Sequence, residues 1–124
     1  MNCKMVIVVR KDLKMPRGKI GAQCGHAVES AVLDYTNSQT REFAAWRNGE
    51  ESARAKIVVC VNSEEELKQV LKNADDMGFD WCTFPVIDAG RTEFNGVPTL
   101  TCAAIGPLKV GCFVGLTDHL PLYN

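Results

Sequence analysis

The sequence has no hydrophobic run long enough to cross a membrane. Its longest apolar stretches, Met5–Val9 and Ile57–Val61, are far shorter than the ~20 residues that span a bilayer. The first residues lack the shape of a secretory signal peptide, and the chain contains no Asn-x-Ser/Thr acceptor for N-glycosylation. We therefore expect a soluble protein of the cytoplasm that does not associate with membranes.

The six cysteines include no Cys-x-x-Cys pair, and none of them belongs to a cluster with the spacing of a zinc site. Several lie inside apolar runs, where cysteine packs as a small hydrophobic residue. This pattern favours free thiols in a reducing compartment over a disulfide framework. We expect no metal site and no cofactor. The six are Cys3, Cys24, Cys60, Cys82, Cys102 and Cys112.

Common catalytic and nucleotide-binding motifs are also missing. The chain contains no G-x-x-x-x-G-K-S/T loop, no G-x-G-x-x-G, no G-x-S-x-G and no H-E-x-x-H. A thiol hydrolase that pairs Cys24 with His26 is disfavoured, because residues two apart on a helix point about 200° away from each other. The spacing of Cys24 places it instead on an apolar helix stripe, as a packing residue.

The composition is that of one globular domain, which we expect to cover residues 1–124. Hydrophobic residues make up 46% of the chain and charged residues 23%, a balance that excludes a disordered or fibrous protein. The net charge is only −1, but five cations lie between Arg10 and Lys19 against one acid, Asp12. This segment predicts local contact with a polyanion, and the alternative is a solvated loop.

Four β-strands are predicted from short apolar runs. Pro85 indicates an edge position for the third strand, and Pro107 is expected to end the fourth. The Asn95-Gly96 turn favours a hairpin between the last two strands, which makes the sheet mixed. The predicted strands are Met5–Val9, Lys56–Val61, Cys82–Ile87 and Thr99–Gly106.

Helices are predicted between these strands, which gives an α/β class. An apolar stripe with helical spacing runs from Ile20 to Tyr35, and a second helix runs from Thr40 to Asn48. Ser63 and Glu66 form a capping box that opens a third helix. A shorter helix is expected near 109–116.

Two loops are expected to carry the chemistry, because ligands of open α/β sheets bind beyond the carboxyl ends of parallel strands. The first loop, Arg10–Gly18, brings cations to the start of a helix, where free N–H groups already favour anions. The second, Asp88–Thr92, brings a carboxylate, a guanidinium and a hydroxyl together. If the two preceding strands are parallel, both loops lie at one edge and suit the hydrolysis of a phosphate-bearing substrate.

Five segments, in this order, resemble the archaeal and eukaryotic class of peptidyl-tRNA hydrolases (class II), and the likeness extends from Lys4 to Tyr123. The resemblance implies a three-layer α/β/α fold with a four-stranded mixed sheet, in proteins that are often dimers. It also implies metal-independent hydrolysis of the ester between a peptide and the 3′ ribose of tRNA. The segments are Lys4–Met15, Gly18–Ala27, Asp88–Thr92, Ala104–Pro107 and Thr117–Tyr123.

The resemblance also assigns site residues. The functional positions of the family map to Lys19, His26, Asp88 and Thr92. A further threonine in the last strand maps to Thr101, with Thr99 as its rival, because the segment Glu93–Pro98 is one residue longer than usual. From the residues alone, Asp88 has a second interpretation, as the cap of the turn at Gly90.

The expected partner is the acceptor end of peptidyl-tRNA, and a second copy of the chain is a further expected partner. A non-catalytic tRNA-binding or adaptor module on the same fold is the alternative function. The residues expected to bind the substrate are Arg10, Lys11, Lys14, Arg17, Gln23 and Arg91.

Overall fold

A four-stranded mixed sheet forms the centre of the fold. The computed structural model describes residues 1–91 and 93–124. The strands stand in the order β2-β1-β4-β3; β1 and β2 are parallel, and β4 is antiparallel to both β1 and β3. The predicted mixed sheet is confirmed. The strands are β1 (Cys3–Arg10), β2 (Lys56–Val61), β3 (Thr83–Asp88) and β4 (Thr99–Lys109).

Strand β1 is buried on both faces, as its unbroken apolar run predicts. Val6 and Val8 pack into one hydrophobic cluster, and Met5, Ile7 and Val9 pack into the other. Successive side chains of a strand point to opposite faces, so an apolar residue at every position requires cover on both sides.

Helices supply that cover in two layers. On one face, Ala27 and Ala31 pack with Phe43 and Trp46, and on the other face the buried helix residues include Leu67. The three-layer α/β/α arrangement is therefore confirmed. The helices are α1 (Arg17–Leu33), α2 (Tyr35–Ser38), α3 (Arg41–Asn48) and α4 (Glu64–Asp76).

Two helices begin at capping side chains; the sequence predicts the cap at Ser63, and the structure adds one at Thr40. The Thr40 hydroxyl accepts the N–H of Phe43 at 3.0 Å, and the Ser63 hydroxyl accepts the N–H of Glu66 at 3.0 Å. The Glu66 carboxylate in turn accepts the N–H of Asn62 at 2.7 Å. Each such cap stabilises a helix by about 1 kcal/mol.

The first helix ends earlier than its apolar spacing predicts. Helix α1 stops at Leu33 because Asp34 is extended, and its carboxylate accepts the N–H of Asn37 at 2.9 Å to begin α2. Tyr35, predicted on the buried stripe, is 78% exposed. The helical spacing of apolar residues continues through Asp34, so this spacing alone does not reveal that a capping side chain ends the helix there.

The last strand is longer than predicted. It continues past Pro107 to Lys109, because Gly106 and Pro107 together lie opposite Met5, at a register shift between Lys4 and Val6. A bulge of this kind disrupts the hydrogen-bond ladder, so a proline without an N–H group fits there. The helix expected near 109–116 is a 3₁₀ turn over Val110–Phe113.

The strand directions bring two loops to one edge of the sheet. Strands β1 and β3 are both antiparallel to β4 and hence parallel to each other, so Arg10 and Asp88 end them at the same edge. Strand β3 is an outer strand, as Pro85 predicts. Within residues 1–91 and 93–124, no helix combines the length and apolar character needed to span a bilayer.

The cysteines pack as the sequence predicts. Cys3, Cys60, Cys82 and Cys102 are buried. Burial raises the pKa of the Cys82 and Cys102 thiols to about 12, so both stay protonated and unreactive near neutral pH.

Candidate active site

An ion pair lies where β3 ends and α1 begins. The Lys19 ammonium donates to Asp88 Oδ1 at 2.7 Å, and the two side chains are only 17% and 12% exposed. Lys19 is in the first turn of α1, where its charge opposes the helix dipole. The partly buried carboxylate opposite it offsets that cost and holds the ammonium at the sheet edge.

The other oxygen of Asp88 is held by the backbone. Oδ2 accepts the N–H of Gly90 at 2.9 Å. Gly90 has φ +76°, and a Cβ there would lie 2.6 Å from the Val97 carbonyl oxygen, so only glycine fits this turn. Asp88 therefore caps the turn and pairs with Lys19 at the same time, so its two sequence-based interpretations do not compete.

These contacts keep Asp88 ionised. The hydrogen bond from Lys19, followed by the one from the Gly90 N–H, lowers the pKa of the Asp88 carboxyl below its usual value of 3.8, and burial opposes them. A carboxylate with a lowered pKa is a weak base. It is suited to hold and orient a water molecule or a cation.

Gln23 and Thr101 extend this contact into the protein interior. Gln23 is 2% exposed, and its Nε2 donates to Asp88 Oδ1 at 3.4 Å. The Thr101 hydroxyl, which is fully buried, donates to Gln23 Oε1 at 2.6 Å. The Thr99 hydroxyl donates instead to the Val97 carbonyl at 2.8 Å. Of the two rival threonines, the structure therefore brings only Thr101 into contact with this network.

Two other predicted site residues, His26 and Arg91, are exposed at the surface. His26 is exposed on α1, and its charge makes a small contribution to lowering the pKa of Asp88. Arg91 is exposed in the loop after β3. Thr92 lies outside the described residues.

The cations of the loop between β1 and α1 divide into two groups. Arg10 forms an ion pair with Asp12 at 2.7 Å and donates to the Leu100 carbonyl at 3.0 Å, so its guanidinium is engaged within the protein. The hydrogen bond that Arg10 donates to the Asp12 carboxylate raises the pKa of Arg10 above its usual value. The remaining three are exposed at the surface: Lys11, Lys14 and Arg17.

Phe94 is a site neighbour that the sequence did not reveal. The Lys19 ammonium lies 6.0 Å from the centroid of its ring, at the outer limit of a cation–π contact. Phe94 has φ +59°, and Asn95, the next residue, has φ +54°. In the sequence, the segment Glu93–Pro98 is one residue longer than is usual in the family, and this difference is the feature that could have drawn attention to Phe94.

A thiol nucleophile and a bound metal ion are two other kinds of chemistry that a hydrolytic site can use. Cys24 is half-buried and packs against the hydrophobic cluster, and burial raises its thiol pKa, which disfavours it as a nucleophile. In the part of the chain that the structure describes, no three His, Cys, Asp or Glu side chains form a group that could hold a metal ion.

The fold and the site together define an α/β protein with a partly buried cation–carboxylate pair next to a loop that carries exposed cations. The family model described as "Peptidyl-tRNA hydrolase PTH2" matches residues 3–123. This chain therefore belongs to the peptidyl-tRNA hydrolase PTH2 family, as the resemblance predicted.

Individual relatives agree with the family match. The chain is 42% identical over 120 residues to "Peptidyl-tRNA hydrolase" of Methanocaldococcus jannaschii, covering 96% of this chain and 98% of that protein. It is 41% identical over 121 residues to "Probable peptidyl-tRNA hydrolase 2" of Drosophila melanogaster, covering 98% and 62%. It is 40% identical over 121 residues to "Peptidyl-tRNA hydrolase 2, mitochondrial" of Mus musculus, covering 97% and 63%. The chain thus spans less than two thirds of the two animal proteins and nearly all of the archaeal one.

Proposed function

We propose that this chain hydrolyses the ester between a peptide and the 3′ ribose of tRNA, and that residues 1–124 act as one hydrolase domain. The observation that carries the proposal is the 2.7 Å pair of Lys19 and Asp88, held at the sheet edge beside the exposed cations of the β1–α1 loop. Membership of the family supports the same reaction.

In the proposed reaction, Asp88 orients the attacking water. A carboxylate has about four acceptor positions, and Lys19, Gln23 and Gly90 occupy three of those of Asp88. Among the contacts of residues 1–91 and 93–124, the position left open is on Oδ2, where a water molecule can be held and aimed at the ester carbon. The Lys19 ammonium stabilises the negative charge that develops on the carbonyl oxygen.

The bond between the carbonyl carbon and the ribose oxygen then breaks. The water oxygen is by then bonded to the carbonyl carbon, so the peptide leaves with a carboxylate. One proton of the attacking water ends on the ribose oxygen, and the other is released to solvent. His26, exposed on the helix that carries Lys19, is proposed to assist this proton transfer or to position the substrate. Thr92 is proposed as a further site residue from the resemblance.

The acceptor end of the tRNA is proposed to bind the surface cations around the site. Lys11 and Lys14 are exposed on the loop before α1, Arg17 is exposed as the first residue of α1, and Arg91 is exposed on the loop after β3. Both loops lie at the same sheet edge, so together they can contact neighbouring phosphates. We assign Arg10 to fixing Asp12 and the loop, because its guanidinium is already engaged by protein groups.

The proposed reaction requires no metal ion, because the Lys19 ammonium supplies the positive charge beside Asp88. Protein dialysed against EDTA and then assayed without chelator should keep its rate of ester hydrolysis. A loss of activity that is restored by adding back one divalent metal would contradict this part of the proposal.

A homodimer in the cytoplasm is the proposed working state. Helix α1 and strand β2 border an open apolar trough of about 600 Å³, whose lining includes Ile7, Cys24, Val28 and Val58. Exposed apolar surface of this kind favours association, and we propose a second copy as its occupant. Val28→Asp should convert a dimer to a monomer in sedimentation equilibrium.

The direct test of function is incubation with an N-acetylated aminoacyl-tRNA, followed by measurement of free tRNA. The parent protein should release tRNA, and Lys19→Met should lower the rate by at least about tenfold, as expected for loss of a group that stabilises developing charge. Lys109→Met is the matched control, because Lys109 is an exposed lysine at the far end of β4. Tight binding of tRNA by the parent without hydrolysis would instead support the binding module.

A further inference from the structure

Thr101 lies too deep to touch a substrate. It is 0% exposed in β4, beneath α1. Its hydroxyl has one proton, and the nearest acceptor is Gln23 Oε1 at 2.6 Å, compared with 3.4 Å for the Val86 carbonyl. The proton is therefore directed at Gln23.

This hydrogen bond determines which way the Gln23 amide faces. An amide presents an acceptor on one side and two donors on the other. With Oε1 accepting from Thr101, Nε2 faces Asp88 Oδ1 at 3.4 Å. The reversed amide would place its oxygen against a carboxylate, which is two acceptors in contact. Gln23 is 2% exposed, so bulk water offers little competing hydrogen bonding.

We propose that Thr101 and Gln23 are positioning residues, which form a buried relay that orients the Asp88 carboxylate for its water molecule. Lys19 and Gly90 hold the carboxylate at the surface side of the site, and the relay holds it from the interior. This inference rests on the proposed function, and it removes Thr101 from the residues that contact the substrate. A small displacement of a reacting group is sufficient to slow a reaction strongly.

The relay predicts a specific kinetic signature. Thr101→Val, which keeps the shape and removes the hydroxyl, should lower the single-turnover rate by about tenfold and leave tRNA affinity unchanged. Thr101→Ser, which restores the hydroxyl, should recover most of the rate. Gln23→Met interrupts the same relay from the helix side and should reproduce the loss, so the test survives if Thr101→Val fails to fold.

A matched control separates positioning from general stability. Thr83 also uses its hydroxyl inside the protein, donating to the Phe79 carbonyl at 2.7 Å, but it lies at the opposite end of β3 from Asp88. Thr83→Val should reduce the free energy of unfolding and leave the rate unchanged. A comparable rate loss in Thr83→Val would overturn the inference.

The decisive measurement combines variants, because the relay acts only through Asp88. In an Asp88→Asn background, Thr101→Val should cause no further loss of rate, since residues that act as one unit are not additive. A further tenfold loss in that background, or a Thr101→Val rate equal to that of the parent, would overturn the relay.

A second readout needs no activity. The side-chain amide protons of Gln23 should exchange slowly with solvent in the parent and faster in Thr101→Val, as measured by NMR. If the parent hydrolyses no ester but shows this protection, the proposed function fails and the contact stands. If the parent is active and Thr101→Val leaves the protection unchanged, the relay fails and the proposed function stands.

Discussion

Lys19 and Asp88 are 69 positions apart in the sequence, and their side chains meet at 2.7 Å. One residue is in the first turn of a helix, and the other is the last residue of a strand. They meet because β1 and β3 run in the same direction, so the helix after β1 begins at the edge where β3 ends.

Asp88→Asn should lower the rate of ester hydrolysis by at least about tenfold and leave tRNA affinity nearly unchanged. The proposed role of the carboxylate is exerted mainly in the transition state, so binding of the ground state is preserved. Single-turnover hydrolysis with saturating enzyme, a binding titration and circular dichroism check this. Asp80→Asn is the control, since Asp80 is exposed before the other end of β3.

Cys24→Ser should keep the hydrolysis rate of the parent, because the Cys24 thiol packs against the hydrophobic cluster. Activity that survives Asp88→Asn and vanishes in a folded Cys24→Ser would revive the thiol mechanism.

The stability contributed by Asp88 should depend on pH in a defined direction. Its pKa is lowered in the folded protein, chiefly by Lys19, so its stabilising contribution is fully present above the unfolded pKa of about 4 and is lost as pH falls through the folded value. The difference in unfolding free energy between the parent and Asp88→Asn should be constant from about pH 5 to 8 and shrink below about pH 4. Urea denaturation at a series of pH values measures it.

Asp76→Asn provides the comparison for that series. The ion pair of Asp76 with Lys72 is open to solvent, with side chains 59% and 66% exposed. Exposed pairs contribute little to stability, so this variant should differ little from the parent at any pH. A parent advantage over Asp88→Asn that persists unchanged to pH 2 would show that the ionised carboxylate is not the source of the stabilisation.

Replacing Lys11, Lys14 and Arg17 together with glutamine should weaken tRNA binding and flatten its dependence on salt. Each phosphate contact that is lost removes the release of about one counterion, so the slope of log affinity against log salt should fall by up to about three. A control variant with Lys68 and Lys72 changed to glutamine removes exposed cations from α4, on the other side of the sheet. Equal affinities and slopes for both variants would show that the β1–α1 loop does not contact the RNA.

Gly90→Ala should cost about 1–3 kcal/mol of unfolding free energy, the range for a strained backbone conformation, and lower the hydrolysis rate. The turn at Gly90 needs a positive φ and leaves no space for a Cβ, so the substitution displaces the N–H that holds Asp88 Oδ2. Gly111→Ala is the control, because a Cβ at Gly111 would have no atom within 4 Å. Thermal unfolding and single-turnover assays compare the two, and equal stabilities would contradict the prediction.

Local sequence determined most of the secondary structure. The apolar run of β1, the cap Ser63 and the edge position of Pro85 each depend on the few residues around them, so their outcome is visible in the sequence. The sequence also predicted which edge of the sheet holds the site, because the carboxyl ends of parallel strands meet at one edge and ligands bind beyond them. Resemblance to the family then identified Lys19 and Asp88 as site candidates.

Only the tertiary structure decided how the site is assembled. The sequence predicts that Gln23 binds the substrate, whereas packing against β4 buries it between Asp88 and Thr101, residues 65 and 78 positions away. The hydrogen bond from Arg10 to the Leu100 carbonyl and the bulge at Pro107 likewise depend on which strand lies beside which. The contact of Thr101, but not of Thr99, with Gln23 depends on where α1 packs along β4. Hydrogen bonds act over about 3 Å in space, and distance along the sequence says nothing about which groups come that close.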